Sequence, residues 1–381
     1  MHKIRLFKPS VGEQEIKSIK DVFKRSWLGY GPLVNKFEKN FASFIGTKYA
    51  VGVNSGTAAL HMAVLHKNFK KGKKVLVPAI TFSATAAAVL YCGLEPKFVD
   101  VNPDDLTIDF DDLKKKYSKD CVALICVHMG GHPCRMEKIS PWAKKNNLFL
   151  IEDCAETCGS EYKNKKIGTW GDISCFSFEE KKIISTGDGG MICLNNKKDY
   201  EKIKSLSFHG WNTDPWTRHN KSFEKKNTPS KHWNYEIVNL GYKYNMNDFL
   251  ASVGLVQLKK LNSLNKKRAN ILKIYLDGIK NFKNIKPTFP YILKKSSYWL
   301  FSVKTKYRDE LVDFLKSNGI STAVHFVPLP LHKLFKKYNR NVKNSLKIWR
   351  EIVSLPFFPD LKKKEINFIL HCLKQFDERI K

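Results

Sequence analysis

The sequence predicts an α/β fold with a mostly parallel, doubly wound sheet, followed by a smaller α+β unit. Segments typical of strands and of helices alternate from residue 47 to residue 195, an order typical of parallel sheets covered by helices. The run CVALICVHMGG, which begins at Cys121, is almost entirely apolar, as expected of a parallel strand buried on both faces. Because the chain has 381 residues, we expect two or three domains.

The first elements are two helices, a strand and a third helix. Residues 11–25 carry apolar side chains at helical spacing, and the next helix is expected from Val34 to Ile45. The strand that follows leads into a helix through Ser55, Gly56 and Thr57. Free N–H groups and the helix dipole at such a helix start favour a phosphate, although serine and threonine are also ordinary helix caps.

The next units repeat the strand–helix order. Pro78 ends a strand and Phe82 follows in the loop, where its ring could cover a flat ligand or pack in the core. After a helix from Ser140 to Lys145, another strand ends just before Asp153. Because ligands of open α/β sheets bind outside the carboxyl ends of strands, we expect Asp153 to point into a site.

A lysine pair, Lys181 and Lys182, lies between two apolar runs in DISCFSFEEKKIISTGDGGMICLN, residues 172–195. The stretch is predicted to form a strand, an exposed loop, a turn and a strand. A lysine just past a buried strand can be desolvated, and a neutral amine can form a Schiff base with a carbonyl. Taken alone, the stretch also fits a solvated basic loop.

The sequence after residue 195 predicts a long connection and a second domain. After a helix from Asp199 to Ser207, a polar segment with three tryptophans extends to residue 236. Loops of this length are uncommon and are usually functional or disordered. A long amphipathic helix then contains the domain boundary. We expect a large domain at 1–264 and a small α+β domain at 265–381. In the small domain, SYWLFSVKT is predicted to form a strand, RDELVDFLKSNG a helix, and STAVHFVPLPLH a second strand that runs into a proline-rich loop.

Composition argues against several other classes of protein. The formal net charge is +31, but the lysines are spread along the chain and no nucleic-acid recognition motif accompanies them, so we expect no nucleic-acid partner. No apolar run is long enough for a membrane span and no secretory h-region is present, so we expect no membrane association and a cytoplasmic location. The nine scattered cysteines lack C-x-x-C pairs, which predicts reduced thiols and no metal site.

Four of these features together fit one cofactor, pyridoxal 5′-phosphate. A lysine can form the imine with its aldehyde, and a carboxylate can keep its ring nitrogen protonated. A helix N-terminus can hold its phosphate, and an aromatic ring can stack on its ring. Each feature is common by itself, whereas the ordered set is not.

The chain resembles the DegT/DnrJ/EryC1/StrS family, sugar aminotransferases with the fold-type I aspartate aminotransferase architecture. The resemblance covers nearly the whole chain and rests on motifs that occur in the family's order. These motifs are SGTAALHMAV, VPAITFSATAAAVL, VHMGGHP, IEDCAE, GDISCFSF-x-x-x-K, TGDGGMI, LGYKYNMND and SLPFFPD.

The resemblance implies roles for individual residues. Lys182, rather than Lys181, takes the place of the Schiff-base lysine, and Asp153 that of the partner of the pyridine nitrogen. Phe82 takes the place of the stacking aromatic. The positions that correspond to phosphate contacts are Gly56, Thr57 and Ser177.

Two positions depart from the family pattern. Where the family often has the asparagine of GYNYR, which reaches the phosphate in the neighbouring subunit's site, this chain has Lys243, with Asn245 two residues later. Either could make that contact. Glu156 stands where His or Gln is common, so its carboxyl must be protonated or contact an amino group if it lies beside the phenolic oxygen of the cofactor.

The function implied by the resemblance is amination of a sugar. Arg218 and His325 lie where family members line the sugar-nucleotide pocket, although a surface arginine and a strand-end histidine fit the sequence equally well. We expect a homodimer with shared sites that moves an amino group from L-glutamate to a nucleotide-linked 4-keto-6-deoxy sugar for surface polysaccharide. A non-catalytic protein that keeps the fold is one alternative. A sugar dehydratase is another, but that branch has histidine in the place of Lys182.

Overall fold

The computed structural model describes residues 3–223, 233–292, 295–338 and 341–380. The helices are α1 (Glu13–Lys24), α2 (Pro32–Ile45), α3 (Gly56–Leu65), α4 (Ser83–Tyr91), α5 (Phe110–Lys116), α6 (Met136–Lys145), α7 (Lys197–Ser207), α8 (Pro215–Phe223), α9 (Asp248–Ile279), α10 (Arg308–Ser317), α11 (Lys343–Ile348) and α12 (Lys363–Arg379). The strands are β1 (Tyr49–Val53), β2 (Lys74–Pro78), β3 (Glu95–Val99), β4 (Cys121–Val127), β5 (Phe149–Asp153), β6 (Glu161–Tyr162), β7 (Lys165–Lys166), β8 (Ile173–Ser177), β9 (Gly190–Leu194), β10 (Lys286–Pro287), β11 (Phe301–Lys304) and β12 (Ile352–Leu355).

A seven-stranded sheet in the order β1-β9-β8-β5-β4-β2-β3 organises the first part of the chain. The strands β8, β5, β4, β2 and β3 are parallel to one another, whereas β9 runs antiparallel to both β1 and β8. The prediction of an α/β fold with a mostly parallel sheet is therefore confirmed. In the register of the sheet, Asp153 at the end of β5 lies between Val127 of β4 and Cys175 of β8.

Helices cover both faces of this sheet, and their composition matches their surroundings. The residues of α3 from Ala58 to Val64 are all buried, because the helix is apolar on every side. On another surface, α9 packs closely against α2. A side chain at Gly254 would approach the ring of Phe37 to 2.6 Å, so this helix crossing requires glycine.

The C-terminal part forms a second core around the antiparallel sheet β10-β11-β12. Tyr275 of α9 stacks on Phe301 of β11 with ring centroids 4.4 Å apart. The helix α9 serves both cores, because Leu264 belongs to a cluster with the large sheet's aromatic residues and Leu272 to the C-terminal cluster. The boundary between 264 and 265 remains a prediction.

Two expected features differ from the structure. No strand forms in the described stretch STAVHFVPLPLH; Ala323 makes only an isolated bridge to Ser354, since Pro328 and Pro330 cannot donate to a ladder. The strand β12 pairs with β11 instead. In the long polar connection, the helix α8 begins at Pro215, and the N–H of Thr217 in its first turn donates to the Asp214 carboxylate. A proline at the first helical position and an aspartate just before it are ordinary helix-start signals.

The described ranges contain no helix that combines the length and the apolarity needed to span a bilayer. All nine cysteines are free thiols, and eight of them are buried.

Candidate active site

A cavity of about 450 Å³ opens at the carboxyl edge of the large sheet. Nine of the twelve residues singled out from the sequence line it: Ser55, Gly56, Thr57, Phe82, Asp153, Glu156, Ser177, Lys182 and His325. Lys243, Asn245 and Arg218 do not.

The N-terminus of α3 forms one wall of the cavity. Ser55 caps the helix by accepting the N–H of Ala58 at 3.1 Å. The N–H groups of Gly56 and Thr57 make no hydrogen bond to any described residue. A Cβ at Gly56 would lie 2.8 Å from Cβ of Ser177, so only glycine lets the start of α3 approach β8 this closely. The result is a small cradle of free donors at the positive end of a helix dipole, which suits a phosphate.

Asp153 lies at the floor of the cavity and is buried. Its carboxylate accepts the hydroxyl of Thr85 at 2.9 Å and the N–H of Ala155 at 3.1 Å. Burial raises its pKa, and these two hydrogen bonds oppose that shift. Thr85 was not predicted as a site residue; its only signal is its position one turn into α4, in the motif that contains Phe82.

Lys182 extends from the loop after β8 into the cavity. Its Nζ lies 4.0 Å from the centre of the Trp299 ring. The neighbouring Lys181 also lines the cavity, but its side chain is half exposed and its Nζ lies 3.8 Å from the Glu179 carboxylate. Trp299 was not predicted as a site residue. Its only signal was its aromatic side chain within a segment predicted to form a strand.

Glu156 is buried beside these groups. Its Oε2 accepts the N–H of Gly130 at 2.6 Å. Burial is the main cause that raises its pKa to about 7, with a contribution from Asp153, while Lys182 and the Gly130 N–H oppose the shift. Near pH 7 both protonation states of Glu156 are therefore populated, which fits the expectation that this carboxyl must be able to hold a proton.

Aromatic rings and His325 form the wall opposite α3. Phe82 is 55% exposed and its ring centroid lies 5.9 Å from that of Phe326, so it is not a core residue. Nδ1 of His325 lies 2.9 Å from Oγ of Ser354. Burial, followed by the charges of the two lysines, lowers the pKa of His325 to about 3, so the ring is uncharged at neutral pH.

The other three residues lie elsewhere in the chain. The Arg218 guanidinium lies against the neighbouring rings of Trp211 and Tyr235, at 4.6 and 4.5 Å from their centres. Lys243 donates to Oδ1 of Asn245 at 2.6 Å. A contact of these two residues with a neighbouring subunit's site stays a prediction.

Buried polar side chains in and next to β5 form a cluster. The ligand-type atoms of His128, Glu152 and Cys154 lie within 4.8 Å of one another. Nε2 of His128 lies 3.1 Å from Glu152, whose oxygens also accept the N–H groups of Gly168, Trp170 and Gly171. Because this carboxylate is already fully hydrogen-bonded, the cluster has the character of a structural support.

Comparison with known proteins places the chain in a family. The model of the DegT/DnrJ/EryC1/StrS aminotransferase family matches residues 9–374. The chain belongs to this family. The family and the aminotransferase class predicted from the motifs are thereby confirmed.

Two relatives illustrate what this aminotransferase is similar to. It is 32% identical over 377 residues to the spore coat polysaccharide biosynthesis protein SpsC of Bacillus subtilis, covering 96% of this chain and 95% of SpsC. It is 33% identical over 381 residues to the GDP-perosamine synthase of Escherichia coli O157:H7, covering 99% of each chain.

Solved structures extend the similarity to the fold. Helicobacter pylori PseC, an aminotransferase of pseudoaminic acid biosynthesis, matches with a TM-score of 0.89 and 26% identity, covering 99% of this aminotransferase and 100% of PseC. The PLP-form of the sugar aminotransferase Spr1654 from Streptococcus pneumoniae gives the same TM-score and identity and covers both chains completely. The predicted fold and the predicted pyridoxal phosphate dependence of the family are confirmed.

Proposed function

We propose that this aminotransferase uses pyridoxal 5′-phosphate to move an amino group from L-glutamate to a keto sugar carried on a nucleoside diphosphate. The acceptor is a 4-keto-6-deoxy sugar, and the product enters surface polysaccharide or a related glycan. One observation carries the proposal. Lys182, Asp153 and the open N-terminus of α3 come from separate elements and line a single cavity.

The residues of the cavity fit the cofactor. The two free backbone donors at the start of α3, with Ser177 packed closely against Gly56, suit the phosphate. The buried Asp153 suits a partner for a cationic ring nitrogen, because a positive group beside it would offset the burial that raises its pKa. The cavity volume of about 450 Å³ lies within the usual range of about 300–1,000 Å³ for small-molecule sites.

Each residue has a distinct task in this proposal. When bound, the cofactor supplies an aldehyde carbon that reacts with amines and a ring that withdraws electrons. Asp153 holds a proton on the ring nitrogen, and Thr85 and the N–H of Ala155 fix the direction of its carboxylate. Lys182 binds the cofactor covalently and, once free, moves a proton at its Nζ.

The contacts that hold the cofactor are assigned to the walls of the cavity. The N–H groups of Gly56 and Thr57 and the hydroxyl of Ser177 would bind the phosphate. Phe82 would cover the ring. Glu156 would supply a carboxyl that can keep a proton near pH 7.

Names of the relatives support the sugar substrate. SpsC is a polysaccharide biosynthesis protein and the Escherichia coli relative makes GDP-perosamine, so GDP-linked sugars are the first acceptors to test. The dehydratase alternative is disfavoured because Lys182 is present. His325 would line the sugar pocket as a neutral hydrogen-bonding group, since its low pKa leaves no charge for a phosphate.

Absorbance spectroscopy tests the cofactor assignment. The purified protein should be yellow, and adding L-glutamate should bleach the visible band. Lys182→Ala should abolish the band because the covalent link is lost. Lys181→Ala is the matched control and should leave the band unchanged; the reverse result would place the linking lysine one residue earlier.

An acceptor screen tests the sugar. The bleached protein is mixed with GDP-, dTDP- or UDP-linked 4-keto-6-deoxy sugars, and mass spectrometry detects the amino sugar while the band returns. A protein that binds pyridoxal phosphate but is bleached by no amino acid would instead support the non-catalytic alternative.

A further inference from the structure

Trp299 of the C-terminal part is in direct contact with the reactive lysine. Its indole is almost completely buried, and the ring centre lies 4.0 Å from Nζ of Lys182. Within the described ranges, this Nζ makes no hydrogen bond or ion pair. The indole face therefore attracts the Lys182 ammonium at short range, and the buried carboxyls of Asp153 and Glu156 line the same cavity.

Three anchors hold the indole in this position. Its Nε1–H donates to the Lys181 carbonyl at 2.7 Å, so the ring is tied to the same loop that carries Lys182. The backbone N–H of Trp299 donates to the Gly130 carbonyl at 2.9 Å. The ring of Phe7 stacks parallel to the indole at a centroid distance of 5.2 Å.

The Gly130 peptide links the two groups that flank the lysine. Its carbonyl accepts from Trp299 and its N–H donates to Glu156. A side chain at Gly130, where φ is +62°, would approach the Phe289 ring to 2.8 Å. This turn therefore fixes the indole and the Glu156 carboxyl relative to one another.

We propose that Trp299 is a positioning residue that holds the free ammonium of Lys182 over its indole face whenever the lysine is not bonded to the cofactor. The ring then keeps the lysine inside the cavity by attracting its positive charge. This inference rests on the proposed function, which makes Lys182 the reactive amine. The effect on the free lysine can be measured without the cofactor.

Competitive acylation of the cofactor-free protein tests the proposal. Trace acetic anhydride is applied over a range of pH, and peptide mass spectrometry gives the labelling rate of Lys182 relative to Lys181. In Trp299→Leu the ratio at neutral pH should rise about tenfold, because the ammonium loses the ring's attraction. In Trp299→Phe, which keeps a ring but loses the bond to the Lys181 carbonyl, the ratio should rise less than in Trp299→Leu.

Dependence on pH separates charge stabilisation from mere exposure. The increase in Trp299→Leu should disappear in strongly alkaline solution, because a ring face does not attract a neutral amine as it attracts a cation. An increase that persists there, or an unchanged ratio at neutral pH, overturns the proposal. Trp170→Leu is the matched control, because it removes the ring that faces Lys165 at 4.6 Å and should not alter the Lys182 ratio.

A second variant covers the case in which circular dichroism shows that Trp299→Leu does not fold. Phe7→Ala removes the stacking partner but keeps the indole and its hydrogen bonds. The looser indole should raise the Lys182 ratio about threefold, because the stacking that holds the ring in place is lost. An unchanged ratio in folded Phe7→Ala would then overturn the proposal. The cofactor band tests the proposed function separately, so the two failures can be told apart.

Discussion

Single residues at the site owe their chemistry to burial more than to their type. Asp153 and Glu156 are both buried carboxyls with raised pKa values, yet their partners differ. Asp153 accepts two hydrogen bonds, whereas Glu156 accepts one from Gly130. Burial also leaves His325 uncharged at neutral pH.

Asp153→Asn tests the role of the carboxylate. The amide has nearly the same shape and can still accept from Thr85, so pyridoxal phosphate should bind. Turnover should fall by orders of magnitude because a neutral amide cannot hold a proton on the ring nitrogen. Steady-state kinetics and a spectroscopic cofactor titration measure the two effects. Asp188→Asn, a change of an exposed carboxylate that lines the same cavity, is the control; an Asp153→Asn protein with normal turnover would rule out this role.

Contacts between elements determine the shape of the site and part of its stability. The start of α3 can approach β8 closely because Gly56 has no side chain to collide with Ser177. Nearby, Glu38 of α2 accepts the N–H of Gly52 in β1 at 2.8 Å. These two contacts fix α3 and α2 against the sheet.

Gly56→Ala tests the cradle at the start of α3. The added methyl group would lie 2.8 Å from Cβ of Ser177, so one element must move and the free N–H groups would shift. We expect the Kd for pyridoxal phosphate to rise about tenfold, equivalent to ~1.4 kcal/mol. A spectroscopic titration of the cofactor-free protein measures it. Gly29→Ala, where an added Cβ would meet nothing within 4 Å, should leave the Kd unchanged; equal Kd values for both variants would refute the cradle.

Glu38→Gln tests a buried acid that links α2 to β1. Burial is the main cause that raises its pKa from 4.5 to about 7. The folded protein therefore keeps a proton that the unfolded chain releases above about pH 4.5, so stability falls as pH rises towards and through 7. Glutamine cannot ionise, so the variant should retain on the order of 2 kcal/mol that the wild type loses between pH 5 and pH 8.

Urea unfolding at pH 5 and pH 8 measures this difference. Changes from all other groups are shared by the two proteins and cancel. Glu180→Gln, at an exposed position, should show the same pH dependence as the wild type. Parallel pH profiles for wild type and Glu38→Gln would show that Glu38 does not bind the extra proton.

On the surface of the molecule, exposed apolar residues lie beside the segment that is expected to contact the site of a second subunit. Ile237 and Leu240 are exposed, Leu240 to 91%, and they lie shortly before Lys243 and Asn245 in the chain. Exposed apolar groups of this kind often mark an interface with another protein. Lys243 and Asn245 lie outside the cavity of their own chain, so we expect a homodimer in which they complete the partner's site.

Mixing two inactive chains tests the shared site. One chain carries Lys182→Ala and the other carries changes at both Lys243 and Asn245. In a heterodimer, one of the two sites then has every residue intact, so activity should return towards half of the wild-type value per heterodimer. Subunit exchange is confirmed first by mass spectrometry of differently tagged chains. Failure to regain activity after exchange, or full activity in a monomer, would show that each site is built from one chain.

Local patterns in the sequence predicted much of the site because its central residues follow strand ends or begin helices. Asp153, Lys182 and the turn at Gly56 each lie at such a point, where the alternation of strands and helices and the family motifs are both informative. The α/β fold with its mostly parallel sheet could be predicted for the same reason. The start of α8 was also encoded locally, by Asp214 and Pro215, although its signals were overlooked within a polar segment.

Only the tertiary structure decided which distant segments meet at the cavity. Trp299 reaches Lys182, and Thr85 reaches Asp153, across separations that no local period describes. The segment around His325 has the composition of a strand. However, β12 occupies the position beside β11, and the prolines of the segment have no N–H to donate to a neighbouring strand. Local periodicity and capping determine the type of an element, whereas packing and competition for hydrogen-bond partners determine its neighbours and so the groups that surround the lysine.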